Sequence, residues 1–313
     1  MNLSVTQRNA TTYAAAGHEV AFRQYVLTGR APLASLKASG AMTQDQAGNI
    51  VIAQSPAVKA AFDTSTGRLL EFSLNGHPVI APGQGPAFSN YRWIENDSRF
   101  QRTDNGMPAE ASTEVTSIGG AEIFTSVRSG ELADERIVYT VYPQGILDID
   151  VTITPRSGDL RRAGIELGID SALSVIDYYA HGPLSNTNDR LDGAPLGLYS
   201  TTVATSGETY VKPQSTGNRQ GLRRATFSDP STGRGIVITT EGDVNFSALP
   251  WTDVDLRDAK HMWELSPRPY TVLQLDGAMR GIGNGSCGFD VQTMPEYCIP
   301  QQPVSYKIRI QAK

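Results

Sequence analysis

Residues 147–154 read Leu-Asp-Ile-Asp-Val-Thr-Ile-Thr, a strict alternation of apolar and polar side chains. Successive side chains of an extended strand point to opposite faces, so this run predicts a strand with one buried and one wet face. Residues 121–128 and 136–142 continue the pattern, and the 136–142 run is joined to 147–154 through Pro143-Gln144-Gly145. Further strands are predicted at 50–52, 58–62, 163–169, 235–240, 270–275 and 304–312. Residues 69–74 and 77–80 flank Asn75-Gly76, a pair that readily supplies the positive φ angles of a tight hairpin turn. Only one short helix is predicted, over 255–265, with Asp253 as its cap. No alternation of strands with helices and no fixed repeat is present, so the chain reads as all-β and mainly antiparallel.

The N-terminal residues fit this pattern less well. Residues 22–27 alternate as a half-buried strand would, after an Ala-rich stretch, 14–21, that holds Gly17 and His18. A lone histidine with no partner cluster reads as a structural residue of a turn. Residues 28–49 are small and polar, with Gly, Pro and Ser, and read as a linker.

Composition narrows the function. With 313 residues the chain can bury a substantial core, and its net charge of −5 offers no basic footprint for nucleic acid. No apolar run is long enough to cross a membrane as a helix. The first residues lack the charged and apolar regions of a secretory signal. Cys287 and Cys298 are too few for a disulfide framework or a structural zinc site, leaving two free thiols or one bridge. Nothing in the chain points to a cofactor or a metal.

Candidate chemistry sits in polar clusters. Two of them, 181–190 (HGPLSNTNDR) and 212–223 (KPQSTGNRQGLR), flank the strand-like run 196–203. Each gathers Asn and Arg around a glycine, with Gln added in the second, the composition of loops that bond back on their own backbone. A third, 91–100 (YRWIENDSRF), sets Tyr91 and Trp93 beside groups able to read sugar hydroxyls, and also suits a solvated loop anchored by a buried Trp. A fourth, 281–288 (GIGNGSCG), lacks the Lys-Ser/Thr and the strand–loop–helix setting of a phosphate-cradling loop. His261 lies in the predicted helix with apolar neighbours and reads as a hydrogen-bonded buried histidine, whereas His181 reads as more open to a surface role.

These clusters resemble motifs of large bacterial β-galactosidases of glycoside hydrolase family 2. His181-Gly182-Pro183, Asn186 and Asp189-Arg190 resemble G-x-G-P-x-E-N-Y-x-D-R, and the residues from Tyr210 to Arg223 resemble Y-x-x-P-Q-E-x-G-N-R-x-x-x-R. Ser185 and Ser215 stand where Glu is usual, and Thr187 where Tyr is usual. Residues 92–97 resemble the family's R-A-P-x-D-N-D, and 276–288 its D-G-x-x-x-G-x-G stretch, which ends in S-W or S-C-G. Residues 246–265 resemble F-S-x-x-x-(Y/W) followed by A-x-H-x-x-x-L.

The resemblance implies a large two-sheet antiparallel super-sandwich of the galactose-mutarotase-like type over 50–313. It also implies that 1–27 is the remnant of a preceding immunoglobulin-like domain. The implied partner is the catalytic (β/α)8 barrel of a β-galactosidase, whose two Glu residues have no counterpart here, so this chain alone is expected to be inactive. The implied substrate-binding residues are Asn96, Asp97 and Ser98 on one loop and Ser286 and Cys287 on another, completing the rim of a galactoside site. Arg190, Arg219 and Arg223 read as internal ties. A free-standing sugar-binding module and an aldose epimerase-like enzyme stay open as alternatives, as do homo-oligomerisation and a cytoplasmic or periplasmic location for the parent enzyme.

Overall fold

The computed structural model describes residues 1–94, 105–156, 160–283 and 293–313. The chain forms two units, Met1–Ala34 and Ser35–Lys313. In the first, β1 (Asn2–Thr6) pairs antiparallel with β2 (Glu19–Gln24), and the intervening turn carries Gly17 at φ 87° with the exposed His18 after it.

The second unit holds two nine-stranded antiparallel sheets. Its strands are β3 (Thr43–Ala47), β4 (Ile50–Gln54), β5 (Val58–Asp63), β6 (Arg68–Leu74), β7 (His77–Ile80), β8 (Ala87–Ser89), β9 (Ser112–Ile118) and β10 (Ala121–Ser129). They continue as β11 (Ala133–Tyr142), β12 (Ile146–Pro155), β13 (Arg162–Asp170), β14 (Val175–His181), β15 (Leu196–Thr202) and β16 (Arg224–Ser228). The last four are β17 (Gly235–Glu241), β18 (Asn245–Leu249), β19 (Tyr270–Met279) and β20 (Val304–Ala312). One sheet runs β15-β14-β16-β17-β20-β12-β11-β10-β9; the other runs β18-β19-β13-β7-β6-β5-β4-β3, with β8 beside β13. This is the all-β, two-sheet antiparallel super-sandwich that the alternating runs and the resemblance imply.

The period-two runs face as their pattern requires. On β12, Leu147, Ile149, Val151 and Ile153 are buried, and they join Ile137 and Tyr139 of β11 and Ile308 and Ile310 of β20 in one core. The opposing sheet adds Phe62, Leu69, Phe72, Ile165, Leu273 and Leu275. Phe62 stacks on Phe124 across the sheets, with ring centroids 4.5 Å apart. Asn75 and Gly76 turn the β6–β7 hairpin at φ 52° and 78°, the left-handed pair expected from Asn-Gly.

Two expectations need correction. Residues 43–47, given to the linker, form an edge strand hydrogen-bonded to β4. All five are exposed, so no buried face marks them in the sequence. The helix is shorter than predicted: α1 spans Asp253–Asp258 and is capped by Thr252, whose side chain accepts from the Asp255 amide while Asp255 bonds back. Asp253 is its first residue, and the chain leaves the helix at Ala259 in extended geometry.

Candidate functional site

The two Asn/Arg clusters meet where the sandwich would otherwise gape. Strand β18 is the free edge of one sheet, and an unpaired edge must find partners for its backbone groups. Residues 219–222 supply them: Arg219 and Phe246 exchange both backbone hydrogen bonds, and the Leu222 amide donates to the Val244 carbonyl. On the other side, the His181 amide donates to Gln220 and the Arg223 amide to Tyr179, at the end of β14 in the second sheet. One stretch of chain therefore stitches the two sheets together.

Side chains complete this stitch. The Asn218 amide group donates to the Asn186 carbonyl at 2.8 Å, and the Asn186 backbone amide donates to the Asn218 carbonyl at the same distance. The Asn186 side-chain oxygen takes the Gln220 amide. The Arg219 guanidinium donates to the Tyr178 hydroxyl and to the carbonyls of Pro183, Ser206 and Gly217, as well as the Ser206 hydroxyl. A planar fork of donors suits such a nest of carbonyls, where a single ammonium could reach only part of it.

A cleft of about 380 Å³ opens beside this knot. Ser185, Thr187 and Ser215, the three departures from the family motifs, all line it. Each is engaged: Ser185 Oγ accepts from the Gly217 amide at 2.9 Å, Ser215 Oγ from the Trp93 amide at 3.1 Å, and Thr187 Oγ1 donates to Asp189 at 2.6 Å. Smaller side chains thus stand where the motif has two carboxylates and a phenol.

A second set of bonds converges on Gly281. The Arg92 guanidinium donates to the carbonyls of Arg280 and Gly281. Asp189 accepts from the Gly283 amide at 2.7 Å. Burial raises the Asp189 carboxyl, but bonds from Thr187 and from the Ile282 and Gly283 amides outweigh it and hold the group below its usual range. A Cβ on Gly281 would fall 2.6 Å from the Asp189 side chain, so any larger residue would push the carboxylate off this approach.

Beside the cleft, β13 and β19 carry the buried polar side chains Arg162, Gln274 and Asp276, with Asp253 of α1 against them. Arg162 pairs with Asp253 at 3.0 Å and with Asp276 at 3.3 Å. Glu166 accepts from Gln274 next to them. Burial pushes Asp276 up to about 7 against the pull of Arg162. Burial, with the charge of Asp253 adding to it, pushes Glu166 up to about 7 as well.

The implied binding residues Asn96, Asp97, Ser98, Ser286 and Cys287 lie outside the described residues. The described neighbours Ile94 and Ile282 both line the cleft. Tyr91 and Trp93 are buried in a small apolar cluster with Leu249 and Leu256, and the Trp93 indole donates to the Pro213 carbonyl. Of the two readings of that segment, the anchoring one holds for the Trp, and neither ring is placed to stack on a sugar. His181 is half-buried with Nδ1 against the Ala194 carbonyl, so the surface role does not hold. His261 is not buried: it lies beyond the helix, bonded to Glu264 and stacked on the exposed Trp263. Cys298 is a free thiol. Among the motif arginines, Arg219 is the internal tie, Arg223 lies over the Tyr179 ring, and Arg190 is exposed and lines the cleft. Sequence reasoning missed Glu208 and Arg162, both of which line the cleft. For Arg162 the signal was a charged pair, Arg161-Arg162, running directly into an apolar strand.

Comparison with known proteins matches residues 54–310 to the family described as β-galactosidase small chain. The chain is 26% identical to a β-galactosidase of Priestia megaterium, an alignment covering 96% of this chain and 30% of that protein. It is 25% identical to a β-galactosidase of Vibrio vulnificus, covering 99% of this chain and 32% of the other. The chain thus spans about a third of the length of these relatives. Among solved structures, a GalM/aldose epimerase homologue from C. elegans is similar at a TM-score of 0.45 and 12% identity, covering 87% of this chain and 99% of that one. A heparan sulfate lyase mutant from Pedobacter heparinus is similar at 0.40 and 7%, covering 91% and 37%.

Proposed function

The chain belongs to the β-galactosidase small chain family, and from that premise we propose that it is the non-catalytic region of a larger β-galactosidase. In this reading it seats against a catalytic barrel and supplies part of the rim of the galactoside site. The observation that carries the reading is the tie at Gly281. Arg92 bonds to the Arg280 and Gly281 carbonyls, and Asp189 fixes Gly283, so the stretches that lead into both candidate segments are joined at one cleft. Asn96, Asp97 and Ser98, with Ser286 and Cys287, are the residues we assign to contact with the sugar. Cleavage of a glycoside needs two carboxyl groups about 5–10 Å apart. Among the described residues lining the cleft, Glu208 is the one carboxylate, which favours holding the sugar over cleaving it.

The first unit fits the same scheme. Two strands alone make a marginal sheet, and Leu3, Val5, Val20 and Phe22 are exposed on β1 and β2. We assign this unit to the last strands of an immunoglobulin-like domain.

A chimaera tests the reading. This chain is joined to the catalytic part of the Priestia megaterium relative in place of that enzyme's matching third. It should restore hydrolysis of a chromogenic β-galactoside, and Asp97→Ala should lower the rate without moving the melting temperature. Hydrolysis by this chain alone, abolished by mutating one of its own glutamates, would overturn the assignment.

A further inference from the structure

A sheet that does not close on itself ends in strands whose outer N–H and C=O groups have no neighbouring strand to take them. The two large sheets end in β15, β9, β18 and β3. Strand β18 is covered by residues 219–222. Strand β3 reads TQDQA and carries the exposed Asp45, and β9 reads STEVTSI and carries the exposed Glu114. A charge on an edge discourages another strand from pairing there. Strand β15 reads LGLYSTT, with no charge, no proline and Leu198 at 83% exposure. It is the edge that the sequence leaves unguarded.

The register decides which groups this edge offers. The Val203 amide donates to the Ser174 carbonyl directly opposite it, and the Gly182 amide donates to the Pro195 carbonyl in the same register. Bonded and non-bonded positions alternate along an antiparallel pair. Gly197, Tyr199 and Thr201 therefore bond to β14, and the N–H and C=O groups of Leu198 and Ser200 point away from the sheet. Beyond them the Thr202 amide donates to Thr205 Oγ1 at 3.3 Å, and the capping box over residues 202–205 closes the strand. Outward groups on residues 198 and 200 are the complement of the same two residues running in the opposite direction.

We propose that β15 is a self-association edge, at which two copies of this chain pair antiparallel about a two-fold axis at Tyr199. Leu198 of one copy stands opposite Ser200 of the other, and the two exchange backbone hydrogen bonds. A second copy suits this edge because the two-fold axis brings every outward donor to an outward acceptor, with no further demand on sequence. The two Leu198 side chains lie diagonally across the new pair, within reach of each other on the outer face. Asp177 of neighbouring β14, bonded to the Ser200 hydroxyl, does not oppose the pairing. Its counterpart in the second copy lies three strand spacings away, roughly 14 Å, beyond the screening length of about 8 Å in physiological salt. One strand pair buries less than a standard interface, so the dimer is weak. The proposal concerns an edge away from the rim role and does not rest on the galactosidase reading.

The test is sedimentation velocity of the full 313-residue chain over about 5 to 500 μM, with hydrogen exchange measured in parallel. A monomer–dimer equilibrium with a Kd on the order of 100 μM is expected. The Leu198 and Ser200 amides should gain protection as the concentration rises. Leu198→Lys puts a charge on the edge, and Ser200→Pro removes an outward N–H while leaving the bonds to β14 in place. Each should weaken association at least about tenfold. Leu198 is exposed, so circular dichroism and the melting temperature of Leu198→Lys should match those of the parent chain. The proposal falls if the chain stays monomeric at the highest concentration, if a dimer persists in both variants, or if the two amides stay unprotected in the dimer. In the chimaera, protection of these amides that does not depend on concentration would mean that the rest of the parent polypeptide covers the edge, which also overturns it.

Discussion

Ile149 on β12 and Asn218 in the stitch between the sheets are both nearly sealed from solvent, yet their surroundings share no chemistry. Ile149 sits among Ile137, Leu147, Ile308 and Ile310, where burial itself is favourable and no direction is required. Asn218 sits with Asn186, Arg219 and Asn245, where burial is unfavourable until every donor and acceptor is answered. The apolar wall tolerates other apolar side chains of about the right volume. The polar knot tolerates only groups that point the right way. It borders the cleft, and among the described residues Asn218 Oδ1 has no hydrogen-bond partner. An apolar core makes a scaffold, whereas a directional network also fixes which groups stand beside the cleft.

The comparison can be broken most directly at Arg219. Arg219→Ala strips its bonds to Tyr178, Pro183, Ser206 and Gly217 and leaves buried carbonyls without donors. The expected loss is about 3–5 kcal/mol in urea unfolding, with Arg219→Lys recovering less than about half. A loss below about 1 kcal/mol would mean that the knot contributes little to stability. In the apolar wall, Ile149→Ala should cost about 2–4 kcal/mol and Ile149→Val about 1 kcal/mol, a graded response to volume that the knot should not show.

The outer face of β13 is expected to respond to pH. Folding raises the Glu166 carboxyl to about 7, mainly through burial. Below the unfolded pKa, about 4.3, both states are protonated; between that value and about 7 only the folded state keeps its proton. Stability should therefore fall as pH rises from about 4.5 to 7 and then level off; Asp276, also raised to about 7, adds to the fall, and Glu166→Gln should remove the share of Glu166 and so lessen the slope. The expected amplitude is on the order of 2 kcal/mol, reduced from full linkage because Glu166 keeps some solvent access. A pH profile unchanged in Glu166→Gln would remove Glu166 from the account.

The smallest effect is expected at Asp189. Asp189→Asn weakens the charge-assisted bond to the Gly283 amide and should cost about 1 kcal/mol of stability. In the chimaera it should lower hydrolysis through KM more than its stability loss predicts, because it positions the stretch leading to Ser286. A change in melting temperature with no change in KM would make it a structural residue only.

The wall of β11, β12 and β20 was legible because a strand has a period of two: once 147–154 alternates, which side chains meet the core is decided before any partner strand is known. Asn-Gly placed the β6–β7 turn for an equally local reason. Strand β3 was not legible, since an edge strand with all residues exposed carries no apolar signal. The short helix's true extent was missed although its signal is local: Thr252 and Asp255 form a capping box, and the chain turns extended at Ala259. The clusters 181–190 and 212–223 announced themselves as polar, glycine-bearing and specific, and their chemistry was right in kind. Arg190 and Arg219 both read as internal ties, yet only Arg219 turns inward while Arg190 is exposed at the cleft. Both are arginines in similar loops, and only the position of Ser206, Gly217 and Tyr178 around one of them separates the two. Periodicity is a property of a segment with itself, so sequence carries it. A hydrogen bond can join two segments more than a hundred residues apart, as between Arg92 and Gly281, and such a bond exists only after the chain has folded.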